Sequence, residues 1–164
     1  MIIVTLAIIA AGAIVLGRSN SGVAQPVPFS HRVHAGTKEL NCFFCHQNAA
    51  RSANAGIPSV EKCILCHKVI TSQWEPIANL RGYYDRKEPI PWVRVNRLPD
   101  FVQFSHQAHL TNTTKWGKRF DCSVCHGNVK AMDRIRPVRK FDMKFCVDCH
   151  RKNNFSTKCF TCHW

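Results

Sequence analysis

All ten cysteines of this 164-residue chain fall in one five-residue pattern, and that leaves few choices of fold. Cys-x-x-Cys-His occurs five times: Cys42, Cys45 and His46; Cys63, Cys66 and His67; Cys122, Cys125 and His126; Cys146, Cys149 and His150; Cys159, Cys162 and His163. An even cysteine count in a small secreted chain ordinarily reads as a disulfide framework. A single Cys-x-x-Cys would also suit half a zinc site or a redox dithiol. Five copies, each followed by histidine and together using every cysteine, point elsewhere. On a helical turn, positions i, i+3 and i+4 share a face. Two thiols placed this way can form thioethers with the two vinyl groups of one porphyrin, and the histidine becomes the proximal iron ligand. Five covalently bound haems of the c type (haem c) are therefore expected.

The other histidines make an independent argument. Of nine, the four outside these motifs are His31, His34, His106 and His109. They lie in two copies of one pattern, FSHRVH at Phe29–His34 and FSHQAH at Phe104–His109. A lone histidine is usually a surface or core residue. Four confined to two matching motifs read as sixth ligands, and their i, i+3 spacing lets one short helix serve two haems. Iron held by two histidines has no open position and suits electron transfer better than binding of a small substrate. Nine histidines cannot fill the axial positions of five haems. The shortfall falls most naturally on the haem of Cys159, Cys162 and His163, because its half of the chain has three haems and only His106 and His109 as spare donors. Methionine is the usual replacement, and Met132 and Met143 are the candidates.

The FSHxxH repeat divides the chain. Residues 25–80 form a dihaem module and 101–164 a trihaem module. The segment 81–100 between them, with Pro89, Pro91 and Pro99, is expected to be extended. Its Tyr83, Tyr84, Trp92 and Val93 are too apolar for a solvated tether and are expected to pack on haem or on a partner subunit. No long helical or strand periodicity follows residue 18. The expected fold is mainly α and coil with little regular secondary structure. Modules this small make little core from side chains alone. Haem must supply it, with Phe43, Phe44, Phe101, Phe141, Phe145, Phe155 and Phe160 against the macrocycles.

Residues 1–17 carry no charged side chain, and Arg18 ends the run. The length is at the short end of what spans a bilayer. A cleaved signal would have a basic start, which is missing, although Gly22-Val23-Ala24 could pass as a cleavage site. Residues 1–18 are read as a retained transmembrane helix. Haem attachment takes place outside the cytoplasmic (inner) membrane, so the haem domain is expected on the periplasmic side. The formal charge of +13 could indicate nucleic acid. The basic residues are scattered and no nucleic-acid-binding motif is present, so no nucleic-acid partner is expected. Much of the excess can neutralise haem propionates.

With these motifs the chain resembles the small class III cytochromes of the c3 and c7 type over most of residues 29–164. The resemblance implies axial pairs: His31 with the haem of His46, His34 with that of His67, His106 with that of His126, and His109 with that of His150. The c7-like pattern also places the last haem's sixth ligand just before the preceding Cys-x-x-Cys-His, which points to Met143. The stretches IPWVRVNRLPDFVQFSHQAH (Ile90–His109) and FDMKFCVDCHR (Phe141–Arg151) are similar to the pentahaem subunit of bacterial alternative complex III. That likeness implies an electron-transfer subunit of a quinol-oxidising complex. Its partners would be an iron–sulfur subunit, integral membrane subunits that bind quinol, and a monohaem cytochrome. Related subunits occur with molybdopterin-type membrane oxidoreductases. A free-standing multihaem quinol dehydrogenase and a multihaem reductase are the competing readings, and the reductase would need an open haem.

Overall fold

The computed structural model describes residues 22–71, 73–113, 117 and 119–164. The transmembrane helix expected at 1–18 lies outside the described residues. Among the described residues no helix is long and apolar enough to cross a membrane.

The described chain is helix and coil, and its β pairing is limited to the isolated bridges Val102–His163 and Thr113–Arg119. In chain order it forms a π-helical turn Arg32–Thr37, α1 Cys42–Cys45, α2 Val60–His67, α3 Glu75–Asp85, α4 His106–Thr111 and α5 Cys122–His126. A 3-10 turn Val129–Ala131, α6 Met143–Lys152 and a 3-10 turn Cys159–Thr161 complete it. Helices α1, α4, α5 and α6 start where a short polar side chain takes up an orphan N–H. Asn41 accepts from the Phe43 N–H at 2.9 Å, Asp121 from Ser123 at 2.8 Å, and Asp142 from Phe145 at 2.9 Å. In α1 and α5 the cap immediately precedes the first cysteine, so the helical turn opens on the attachment motif itself.

One small apolar cluster is built without help. Val27, Val60, Ile64, Ile77, Leu80 and Ile90 are buried together, with Cys63, Tyr83 and Trp92 packed against them. It joins α2, α3 and the proline-containing segment. Here the structure departs from the sequence expectation in two ways. Residues 81–85 are the last turns of α3, not extended chain. Pro76 sits in the first turn, where its missing N–H costs nothing, and no further proline interrupts before Pro89. Ile90 and Trp92 also pack on α2 and α3 within this chain. Elsewhere among the described residues burial is sparse: Ala49, Pro76 and Met132 are also buried, while Phe43, Phe44, Phe101 and Phe160 stay exposed.

The halves of the chain interlock. The π turn packs against Val129–Ala131, so closely that a side chain at Gly36 would collide with the Lys130 carbonyl. The Arg32 N–H donates to the Met132 carbonyl at 2.9 Å, and the Arg32 guanidinium pairs with Asp133 at 3.0 Å. In the other direction, the His106 and Gln107 N–H groups donate to the Ala53 and Ser52 carbonyls, both at 3.1 Å.

Candidate haem-binding sites

The two FSHxxH copies adopt the same local geometry. Ser30 and Ser105 cap their turns, accepting from the N–H of Val33 at 3.1 Å and of Ala108 at 3.3 Å. Phe29 stacks on His34 at 4.3 Å between centroids and meets His31 edge-on at 4.9 Å. Phe104 stacks on His109 at 4.5 Å and meets His106 edge-on at 4.9 Å. Each phenylalanine is thus a wedge that sets two imidazoles apart. These roles for Phe29, Ser30, Phe104 and Ser105 were not drawn from the sequence, although the repeat itself carried the signal.

Each of the four motif histidines faces a histidine of a Cys-x-x-Cys-His. Ring centroids are 6.4 Å apart for His31 and His46, 5.9 Å for His34 and His67, 6.3 Å for His106 and His126, and 6.1 Å for His109 and His150. Two imidazoles bound through Nε2 to opposite faces of one metal, at about 2.0 Å each, have centroids about 6 Å apart. The spacing therefore fits a metal between the rings, and the two free thiols of each motif are the groups that would tether a porphyrin there. The planes are nearly parallel for His31/His46 (1°) and His106/His126 (10°), and strongly tilted for His34/His67 (61°) and His109/His150 (52°).

Tautomer is fixed by what Nδ1 meets. His34 and His109 donate to the carbonyls of Ser30 and Ser105, both at 2.8 Å. His46 donates to Gly56 at 2.8 Å, His67 to Ile70 at 3.2 Å, His106 to Ala53 at 2.8 Å, His150 to Ser156 at 2.6 Å and His163 to Phe101 at 3.4 Å. A carbonyl can only accept, so Nδ1 carries the proton and Nε2 keeps its lone pair for a metal. Burial, with His46 and His34 adding to it, pushes His31 down to about 4; its imidazole is neutral, the form that ligates. Burial, with His106 and His46 adding, lowers His126 in the same sense.

The fifth motif is arranged differently. Phe101 stacks on His163 at 5.8 Å and accepts its Nδ1 proton. Met143 opens α6 one turn before Cys146 and is 68% exposed, whereas Met132 is 5% exposed and packed at the foot of the π turn. Cys146, one turn on from Met143, lies within electrostatic reach of Cys162.

The thiols mark out a row. Cys63 lies near Cys45, Cys42 near Cys122, Cys125 near Cys146 and Cys149, and Cys146 near Cys162. The motifs therefore follow one another in space in the order His67, His46, His126, His150, His163, with the first motif of the sequence second in the row. Burial pushes the Cys45, Cys63, Cys122, Cys125 and Cys146 thiols up, and no cysteine is in a disulfide.

A helix-and-coil chain with paired imidazoles and paired thiols in this order is a multihaem cytochrome c. A protein of Nitratidesulfovibrio vulgaris, the multihaem cytochrome c subunit of menaquinone reductase, is 30% identical over 160 residues, which cover 85% of this chain and 76% of that protein. The chain belongs to the family of multihaem cytochrome c subunits that includes it. No protein-family model matches the sequence.

Proposed function

We propose that this chain is the electron-transfer subunit of a membrane quinol:acceptor oxidoreductase and carries five covalent haems. The four facing imidazole pairs carry the reading. Ligands on both faces of an iron leave no position for a substrate, so electron exchange is the chemistry this ligand set suits. A c-type haem supplies a one-electron iron couple. The cysteine pairs tether it, the carbonyls at Nδ1 hold the imidazoles, and the phenylalanine wedges keep neighbouring imidazoles apart. His163 would hold the fifth, with Met143, or Met132 in its place, as the second protein ligand. The row has two ends, at His67 and at His163, which suits a donor at one and an acceptor at the other.

The name of the relative supports a complex that works on a quinone. In its finer form the proposal is an assembly like alternative complex III, with an iron–sulfur subunit, integral quinol-binding subunits and a monohaem cytochrome. The dihaem module 25–80, linker 81–100 and trihaem module 101–164 would stand on the periplasmic face, held by the anchor 1–18. A second reading runs electrons toward the quinone, and the relative's name favours that direction. The same ligands serve either way.

Purification in mild detergent tests both. The copurifying subunits are identified, then quinol or quinone is added while the haem absorption is followed. Haem reduction by quinol in the intact complex supports the first reading. Oxidation of pre-reduced haem by quinone supports the second. Quinol oxidation by the isolated chain would make it a free-standing dehydrogenase, and a molybdopterin-type partner would change the assembly. No quinone-linked change in either direction would overturn the proposal.

A further inference from the structure

Arg134, Arg136, Arg139 and Lys140 fall within seven consecutive positions, and all four are exposed. Of the two carboxylates beside them, Asp133 is engaged elsewhere and Asp142 meets Lys140 alone of the four. Asp133 is bound by Arg32 at 3.0 Å and by the Ser30 hydroxyl at 2.6 Å. Asp142 caps α6 and lies 3.8 Å from Lys140. Among the described residues no carboxylate comes within ion-pair distance of Arg134, Arg136 or Arg139. The segment runs as irregular chain around Pro137, so its cations are not gathered on one helix face.

The same segment touches the start of the described chain. The Val23 N–H donates to the Ile135 carbonyl at 3.2 Å. At Gly22 a Cβ would stand 2.5 Å from the Arg134 Cβ and 2.7 Å from its carbonyl oxygen, so only glycine allows the approach. Gly22 lies five positions after Gly17, the last of the uncharged run. At about 3.5 Å per residue, Gly22 can stand no more than about 18 Å from the end of that run.

We propose that Arg134, Arg136, Arg139 and Lys140 form a docking strip for anionic phospholipid headgroups beside the point where the chain enters the membrane. The proposal rests on the reading of residues 1–18 as an anchor. Guanidinium groups bind phosphate in a bidentate fork, and basic segments near a bilayer are drawn to anionic lipid. Haem propionates are a poorer match for Arg139. It lies within reach of Cys125, on the thioether side of that site, and vinyl and propionate groups occupy opposite halves of a porphyrin. The strip would fix how the haem row is turned relative to the membrane, which a single point of attachment cannot do.

The test uses the full-length, haem-loaded chain in phosphatidylcholine vesicles with and without phosphatidylglycerol. Modification of arginine by a dicarbonyl reagent is read by peptide mass spectrometry. Arg134, Arg136 and Arg139 should be protected several-fold in the anionic vesicles and lose that protection in high salt, while the exposed Arg51 and Arg94 do not change. Replacing all four strip residues by glutamine should leave haem content intact and remove the preference for anionic vesicles. Equal modification in both lipids and in detergent would overturn the proposal. So would protection only within a complex with other subunits, which would make the strip a protein interface. Failure to float with either vesicle in high salt would instead overturn the anchor, and the proposal with it.

Discussion

His31 and His46 face each other with ring planes 1° apart and centroids 6.4 Å apart, although fifteen positions separate them in the sequence. His106 and His126 repeat the arrangement at 6.3 Å and 10°. In both FSHxxH copies the first histidine makes the near-parallel pair and the second the tilted one. This regularity makes the distal ligands separable by spectroscopy. Alanine at His31, His34, His106 or His109 should convert one low-spin haem to a high-spin or ligand-exchanged form, read by absorption and electron paramagnetic resonance. A variant whose spectrum stays fully low-spin would remove that residue from the ligand set.

Five attached haems are expected. Intact mass of the mature protein, combined with a haem assay, decides the number. Four or fewer would mean that one Cys-x-x-Cys-His is left unmodified.

The phenylalanine wedges should matter in proportion to their stacking. Phe29→Leu or Phe104→Leu keeps an apolar side chain but loses the aromatic contact, worth about 1 kcal/mol. Each change should lower stability by that order. It should also broaden the resonance signals of the two haems served by that motif and spare the others. Broadening spread evenly over all haems would mean that the wedge has no local role.

Met143 and Met132 are distinguished by their settings. An exposed thioether one turn from Cys146 can be a ligand without disturbing the chain, whereas Met132 is already packed under the π turn. Met143→Leu should abolish a methionine-to-iron charge-transfer band, and Met132→Leu should retain it at a cost below about 1.5 kcal/mol. The reverse pattern would move the ligand to Met132. Absence of the band in the native protein would leave the fifth haem open or held by another group.

The histidines that the structure pairs were legible because each belongs to a pattern repeated in the sequence. Cys-x-x-Cys-His and FSHxxH between them name every histidine that the structure pairs. The groups that orient those histidines were not legible. Ala53, Gly56 and Ser156 act through backbone carbonyls, which every residue possesses. Only Gly56 gives a hint, since its φ of 75° is a conformation that glycine takes without steric cost. Helix caps could have been read from Asn41, Asp121 and Asp142. The extent of α3 was hidden because the prolines beyond it drew attention to extended chain, while its own start is also marked by a proline, Pro76.

The bond from His106 Nδ1 to the Ala53 carbonyl crosses 53 positions of sequence. It makes one half of the molecule a jig for the other. During synthesis from the N-terminus, the loop that offers this carbonyl exists before the ring it must steady. A fragment beginning at residue 101 would keep every cysteine of its three motifs and could be fully loaded. Its His106 would nevertheless lack that carbonyl and be free to swing. Such a fragment should therefore be chemically complete and spectroscopically mixed, and adding back residues 22–100 should narrow its signals.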